Sequence, residues 1–449
     1  MNQALSEEFA VGYDVALNRA IKGDFFAMRK QGGLLVILAL LTTMTCVRAQ
    51  RVAQPQERER VALRAARMLD VRRGQLVNEA VVLIEGDRIT AAGSRLEIPP
   101  QTRIVDLGDV TLLPGLIDAH THITYHFDET GHFGPTGDTS AAVTMRYAQE
   151  NARRTLEAGI TTIRNLGAGA LVDIRLRDAI KRGEAVGPRM IVSGEPLVPD
   201  DLASAGDELQ RLAYIRQFVR ARINEGADVI KIFEGVDERG MPLFSRDEIR
   251  AAVEEAAKSG RKVAVHAHEA AAIRAAADAG CASVEHGTFL DDDAVRSLVK
   301  HSVALVPTLY LPTHYLEHKS QFTAFGSSTW AFFERLRARN MENMRRAKKA
   351  GVLIINGSDA VAGLHGQNAR ETIWLVKAGL APAEAMRAAT LDAARLLGLD
   401  EQLGEIKEGK LADLIAVPSD PLRDINSLEH IVFVMQGGKV IRNNTGQPR

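Results

Sequence analysis

Eight apolar, β-rich runs set between longer alanine-rich stretches constrain this 449-residue chain more than any other feature. The runs are Leu116 to His122, Ile160 to Leu166, Met190 to Gly194, Asp228 to Phe233, Val263 to His268, Ser283 to His286, Ala304 to Leu309 and Leu353 to Asp359. Helix-periodic stretches separate most of them, among them Thr139 to Ala158, Asp247 to Ser259, Glu269 to Ala279 and Phe332 to Ala350. A closed parallel sheet requires this alternation, because its strands are covered on both faces and each crossover supplies a covering helix. The reading is an α/β chain whose residues 114–400 form a (β/α)8 TIM-like barrel.

The flanks have a different texture. Val61 to Leu69, Glu79 to Glu85, Arg88 to Ala92 and Thr102 to Leu107 are short strand-like runs broken by Gly86-Asp87 and Pro99-Pro100. Ala412 to Val417, His430 to Gln436 and Lys439 to Arg442 repeat the pattern at the far end, with Gly437-Gly438 as a hairpin turn. Residues 50–113 and 401–449 are therefore expected to build one small β-sandwich domain from both chain ends.

Residues 1–49 read as an upstream extension followed by a signal peptide. Met28-Arg29-Lys30 gives a positive start, Gly32 to Leu41 is apolar but too short to span a bilayer, and Val47-Arg48-Ala49 fits a cleavage site before Gln50. Export after cleavage near Ala49 is the expectation, with no stable membrane anchor. Cleavage would leave Cys281 as the single cysteine, so no intramolecular disulfide is expected. With 56 basic and 57 acidic residues, nothing electrostatic points to nucleic acid.

In a parallel barrel the chemistry sits at the C-terminal ends of the strands. Here those ends carry metal-ligand residue types: His120 and His122 on the first, Lys231 in the fourth, His266 and His268 on the fifth, His286 on the sixth and Asp359 on the eighth. Side chains at i and i+2 of a strand share a face, so His120 and His122 can serve one small volume, as can His266 and His268. Imidazole and carboxylate donors suit zinc and similar borderline cations.

The motifs Pro-Gly-Leu-Ile-Asp-Ala-His-Thr-His at 114–122, Val-Ile-Lys-Ile-Phe at 229–233, Val-Ala-Val-His-Ala-His at 263–268, Val-Glu-His-Gly at 284–287 and Gly-Ser-Asp-Ala at 357–360 resemble the amidohydrolase superfamily. The similar branch contains metal-dependent Xaa-Pro dipeptidases, imidazolonepropionase-like enzymes and ochratoxin-type amidases. The resemblance implies two divalent metal ions, with Zn2+ expected. It places His120, His122 and Asp359 on one ion, His266 and His286 on the other, and Lys231 between them as a CO2-derived carbamate. Asp359 would double as general base. His268 would either bind substrate and a developing oxyanion or support the ligands from behind. Glu269 reads as a helix N-terminal acid, with a proton shuttle as its alternative.

Substrate contacts are expected from the loops after the strands: Tyr125 after the first, Tyr310 after the seventh and His365 after the eighth. Tyr310 would donate to the scissile carbonyl or pack as a rim aromatic. Arg164, in the second strand, would pair with a substrate carboxylate or with an internal acid. Thr130 to Ser140 and Lys319 to Ser328 read as loops over the mouth. The expected activity is metal-dependent hydrolysis of an amide or peptide bond in a dipeptide or N-acyl amino acid. A cyclic amide hydrolase or deaminase and an inactive barrel scaffold are the alternatives. A homo-oligomer is compatible with the chain but not indicated by it.

Overall fold

The computed structural model describes residues 59–133, 140–323 and 325–446. The expected extension and signal peptide lie outside these residues, as does most of the glycine-rich part of the 130–140 loop.

The small domain comes first and last in the chain. Strands β1 (Arg60–Asp70), β2 (Gln75–Glu85), β3 (Arg88–Ser94), β4 (Arg103–Asp106) and β5 (Thr111–Pro114) precede the barrel. β1 pairs antiparallel with β2 and parallel with both β4 and β5, which take successive halves of its other edge.

Seven strands of the barrel follow: β6 (Leu116–Thr121), β7 (Ile160–Asn165), β8 (Arg189–Val192), β9 (Val229–Phe233), β10 (Lys262–Glu269), β11 (Ser283–Phe289) and β12 (Ala304–Val306). Five of them, β6, β7, β9, β11 and β12, are buried almost throughout, the burial that a sheet covered on both faces imposes. Parallel pairing runs β6-β7-β8 and β9-β10-β11-β12. Backbone bonds join the two sets. Asp228 N–H donates to Val192 (2.7 Å), and Leu197 N–H to Lys231 (2.9 Å).

The eighth run differs from expectation. Residues 353–360 make isolated bridges, at Ile354 and Ala360, rather than a regular strand, yet they close the ring. Ile355 N–H donates to Leu305 (2.9 Å) and Ala119 N–H to Asn356 (3.0 Å). The approach is so close that a Cβ on Gly357 would lie 2.3 Å from Val306 Cγ1 and 3.0 Å from His120 N, so only glycine fits there.

Helices Ala141–Glu157, Arg246–Ala257, Ala270–Ala279 and Ser327–Lys349 occupy the expected crossovers. Their ends follow local chemistry. Ser245 and Glu248 form a capping box, and Gly280, at φ 86°, ends the third of these helices.

The chain then returns to the small domain through β13 (Leu414–Val417), β14 (Phe433–Gln436) and β15 (Lys439–Asn443). β13 pairs with β5, so the strand path is β15-β14-β13-β5-β1-β2-β3 and includes both chain ends. Leu63, Val82, Leu112, Leu414 and Phe433 lie in its core. The architecture is a TIM barrel with an appended β-sandwich domain.

The segment 319–328 is less open than the sequence suggests. Phe322 is fully buried against Phe127 and Tyr315, and Gln321 C=O accepts from Phe133 N–H (2.8 Å), which ties the two mouth loops together.

Candidate metal centre and active site

β6, β10, β11 and the 353–359 segment deliver the metal-ligand residue types to one end of the barrel. One ligand atom from each of His120, His122 and Asp359 lies within 4.8 Å of the others, and the same holds for His266, His268 and His286. The groups adjoin, since the rings of His120 and His286 are 5.2 Å apart. Asp359 Oδ1 lies 3.4 Å from His120 Nε2 and 3.2 Å from His122 Nε2.

Two of these side chains depend on unusual backbone. His286 (φ 72°) and Asp359 (φ 52°) occupy the left-handed region, which a non-glycine residue holds only where its surroundings fix it. His286 Nδ1 is bonded to Thr308 Oγ1 (2.8 Å) and His268 Nδ1 to Thr288 Oγ1 (2.7 Å).

Burial drives His120 and His268 down to about 4 and His266 and His286 well below the usual histidine value. They are neutral at physiological pH, the form that offers a lone pair to a cation. Lys231 lies in β9 and is almost wholly buried, with Nζ 4.9 Å from the centre of the Phe233 ring and no hydrogen bond among the described residues. Its charge acts on His120, His266, His268, His286 and Asp359. Burial lowers its amine to about 8. A buried ammonium without a hydrogen-bond partner is costly, and among the described residues His120 Nε2 also makes no hydrogen bond. Neutral imidazoles, a carboxylate and an unsatisfied amine fit divalent cations better than they fit one another.

Three expected substrate contacts are engaged by the protein itself. Arg164 is internal: Nη2 meets Glu285 Oε1 (2.9 Å), Nη1 Ser283 Oγ (3.0 Å) and Nε the Ala119 carbonyl (2.6 Å), leaving no fork for a substrate carboxylate. His365 is buried and spans Thr155 Oγ1 (3.4 Å) and the His122 carbonyl (3.2 Å), so it supports the first strand end from behind. Tyr310 donates its hydroxyl to Glu317 (2.9 Å) and accepts from Arg370, which commits it to the helix Leu311–Glu317 rather than to a scissile carbonyl. Tyr125 does reach the histidines, stacked on His122 with ring centres 4.8 Å apart. Glu269 occupies a helix N-cap position but makes no side-chain cap bond.

Two acids escaped the sequence reading. Glu285 Oε2 meets His120 Nδ1 (2.9 Å), fixing which ring nitrogen faces Asp359. Although burial acts to raise it, Arg164 and His120 hold the Glu285 carboxyl at about 2. Asp118 lies two residues before His120 on the same face and binds both β6 and the Asp359 segment. The available signal was an acid inside each apolar strand motif, where a charge survives only with partners. Arg164→Ala would leave Glu285 as an uncompensated buried charge. The expected loss is about 3–5 kcal/mol in denaturant-monitored stability; an unchanged midpoint would contradict this pairing.

The amidohydrolase family profile matches residues 111–442. The chain belongs to the amidohydrolase family. This amidohydrolase is 29% identical over 459 residues to an ochratoxinase of Aspergillus niger, with 90% of this chain and 93% of that protein covered. It is similar to the crystal structure of a Xaa-Pro dipeptidase with bound methionine in the active site (TM-score 0.78, 30% identity, 86% of this chain, all of that one). It is also similar to a prolidase complexed with N-methylphosphonate-L-proline (TM-score 0.75, 26% identity, 86% of this chain, all of that one). The protein is a hydrolase acting on carbon–nitrogen bonds.

Proposed function

We propose that this amidohydrolase is an exported two-metal enzyme that hydrolyses the amide bond of dipeptides or N-acyl amino acids, in the manner of a Xaa-Pro dipeptidase. His120, His122 and Asp359 would hold one ion, expected to be Zn2+, and His266 and His286 the other, with carboxylated Lys231 between them. Bound ions of this kind lower the pKa of water and polarise an amide carbonyl.

The single observation that carries the two-metal reading is Lys231, buried without a hydrogen bond amid the five other expected ligands. An ammonium has no lone pair for a cation, whereas a carbamate presents two anionic oxygens. Nitrogen adds to the carbon of CO2 from the neutral amine with loss of a proton, and burial has already lowered the Lys231 amine to about 8. Geometry alone leaves His266 and His268 on equal terms, since both group with His286. His268 and His286 make the same bond through Nδ1, to Thr288 and Thr308, so the choice of His266 as the ligand follows the family resemblance and His268 is left to bind substrate or a developing oxyanion. Asp359 takes a proton from the attacking water and returns it to the leaving nitrogen. Tyr125, stacked on His122, would meet the substrate.

Similarity to the Xaa-Pro dipeptidase supports a dipeptide-like substrate, and the Met28 to Ala49 pattern supports export. The test is purified enzyme with Zn2+ and bicarbonate on Xaa-Pro dipeptides, N-acyl amino acids and cyclic amides. Release of a free amino acid is expected. Ring opening with the linear amides untouched would overturn the substrate class. A mature N-terminus upstream of residue 28 would overturn the export reading.

A further inference from the structure

We infer that Asp118 is a positioning residue that sets the spacing between the His120–His122 pair and Asp359. Asp118 is fully buried, one strand layer below His120. Its carboxylate uses both oxygens on both segments. Oδ1 accepts from the backbone N–H of His120 (3.1 Å) and of Ser358 (2.9 Å). Oδ2 accepts from Ser358 Oγ (2.5 Å) and Asn368 Nδ2 (2.8 Å).

The segment it grips has reason to need gripping. It bridges rather than pairs regularly, and it presents Asp359 at φ 52°, a conformation that a non-glycine residue leaves unless held. One backbone bond, Asp359 N–H to the His120 carbonyl (2.8 Å), crosses from this residue to β6. Asp118 adds the neighbouring Ser358 N–H and hydroxyl to that connection, and Asn368 extends it into the turn before the helix Arg370–Lys377. There Asn368 Oδ1 accepts from Gly366 N–H (3.0 Å). Asp118 is fully buried beneath the histidine pair. It acts through Ser358 on where Asp359 stands relative to the two histidines.

The arrangement permits a rescue test. In Asp118→Asn, the new amide Nδ2 faces Asn368 Nδ2, so a donor meets a donor, and Ser358 Oγ loses the carboxylate that accepts its proton. Exchanging the pair, Asp118→Asn with Asn368→Asp, restores complementarity. Asn at 118 keeps its oxygen for the two backbone N–H groups and donates to the new carboxylate, which still accepts from Gly366.

Full-length protein loaded with Zn2+ is measured for kcat and KM on the amide it cleaves and for zinc retained against a chelator. Asp118→Asn is expected to lower kcat at least about tenfold with KM within about threefold, and to weaken zinc retention about 10- to 100-fold. The exchanged pair is expected to recover most of both losses. Ser358→Ala, which removes one hydroxyl and leaves the carboxylate in place, is expected to give a smaller loss in the same direction and serves if Asp118→Asn does not fold.

Folded Asp118→Asn or Ser358→Ala with wild-type kcat and zinc retention would overturn the inference. So would an exchanged pair with native thermal unfolding but no recovery over the worse single variant. The kcat readout rests on the proposed amidase reading. Zinc retention does not, so an enzyme inactive on every amide would refute that reading while leaving the positioning role open to measurement.

Discussion

Lys231→Ala is expected to lower kcat/KM by about 10³-fold or more, on the order of 4 kcal/mol of transition-state stabilisation. The loss should not be one of folding, because removing a buried amine without a hydrogen bond relieves a desolvation cost even as it opens a small cavity. Lys231→Met, which keeps most of the volume, separates packing from chemistry and should be equally inactive. Lys231→Glu places a carboxylate near the position the carbamate would occupy and should recover part of the activity. Short carboxylic acids added to Lys231→Ala should do the same. A lysine serving only as a barrel cation would show none of these rescues.

Asp359→Asn is the second large effect. The substitution keeps shape and removes basicity, and the expected fall in kcat is about 10²- to 10⁴-fold, the range for loss of a general base. His120, His122 and Lys231 stabilise the anionic form of Asp359 against the burial that would raise it, so the wild-type carboxylate is ionised throughout the neutral range. The expected signature is a kcat loss that raising the pH does not restore. Recovery of wild-type kcat at alkaline pH in Asp359→Asn would assign the base elsewhere.

The strands and ligand types of this barrel were legible because two signals coincide in them. A strand buried on both faces must be apolar, so His120, His266 and His286 stand out in runs where a polar residue needs a reason. The seventh and eighth strands were less clear. The seventh stops at Val306 rather than Leu309, and the eighth is reduced to bridges around Gly357, whose close approach to His120 is a tertiary fact.

Side-chain partners were the harder part, since residue type alone does not choose between an internal and an external partner. Arg164 and His365 suit a substrate as well as they suit Glu285 and the His122 carbonyl. The choice falls to whichever acceptor the fold brings within 3 Å or so, and those acceptors lie 121 and 243 positions away in sequence. Tyr310 was drawn off in the same way by Glu317 and Arg370. Asp118 and Glu285 were visible as letters inside apolar motifs, yet their function depends on Ser358, Asn368, His120 and Arg164 converging from other strands and loops.

Counting metal ions per chain tests the central claim most directly. Apo-protein reconstituted with Zn2+ and bicarbonate, freed of excess ion and measured by plasma mass spectrometry beside Lys231→Ala, should hold two ions per chain in the wild type and fewer in the variant. One ion or none in the wild type, with an equal number in Lys231→Ala, would contradict a two-metal centre organised around Lys231.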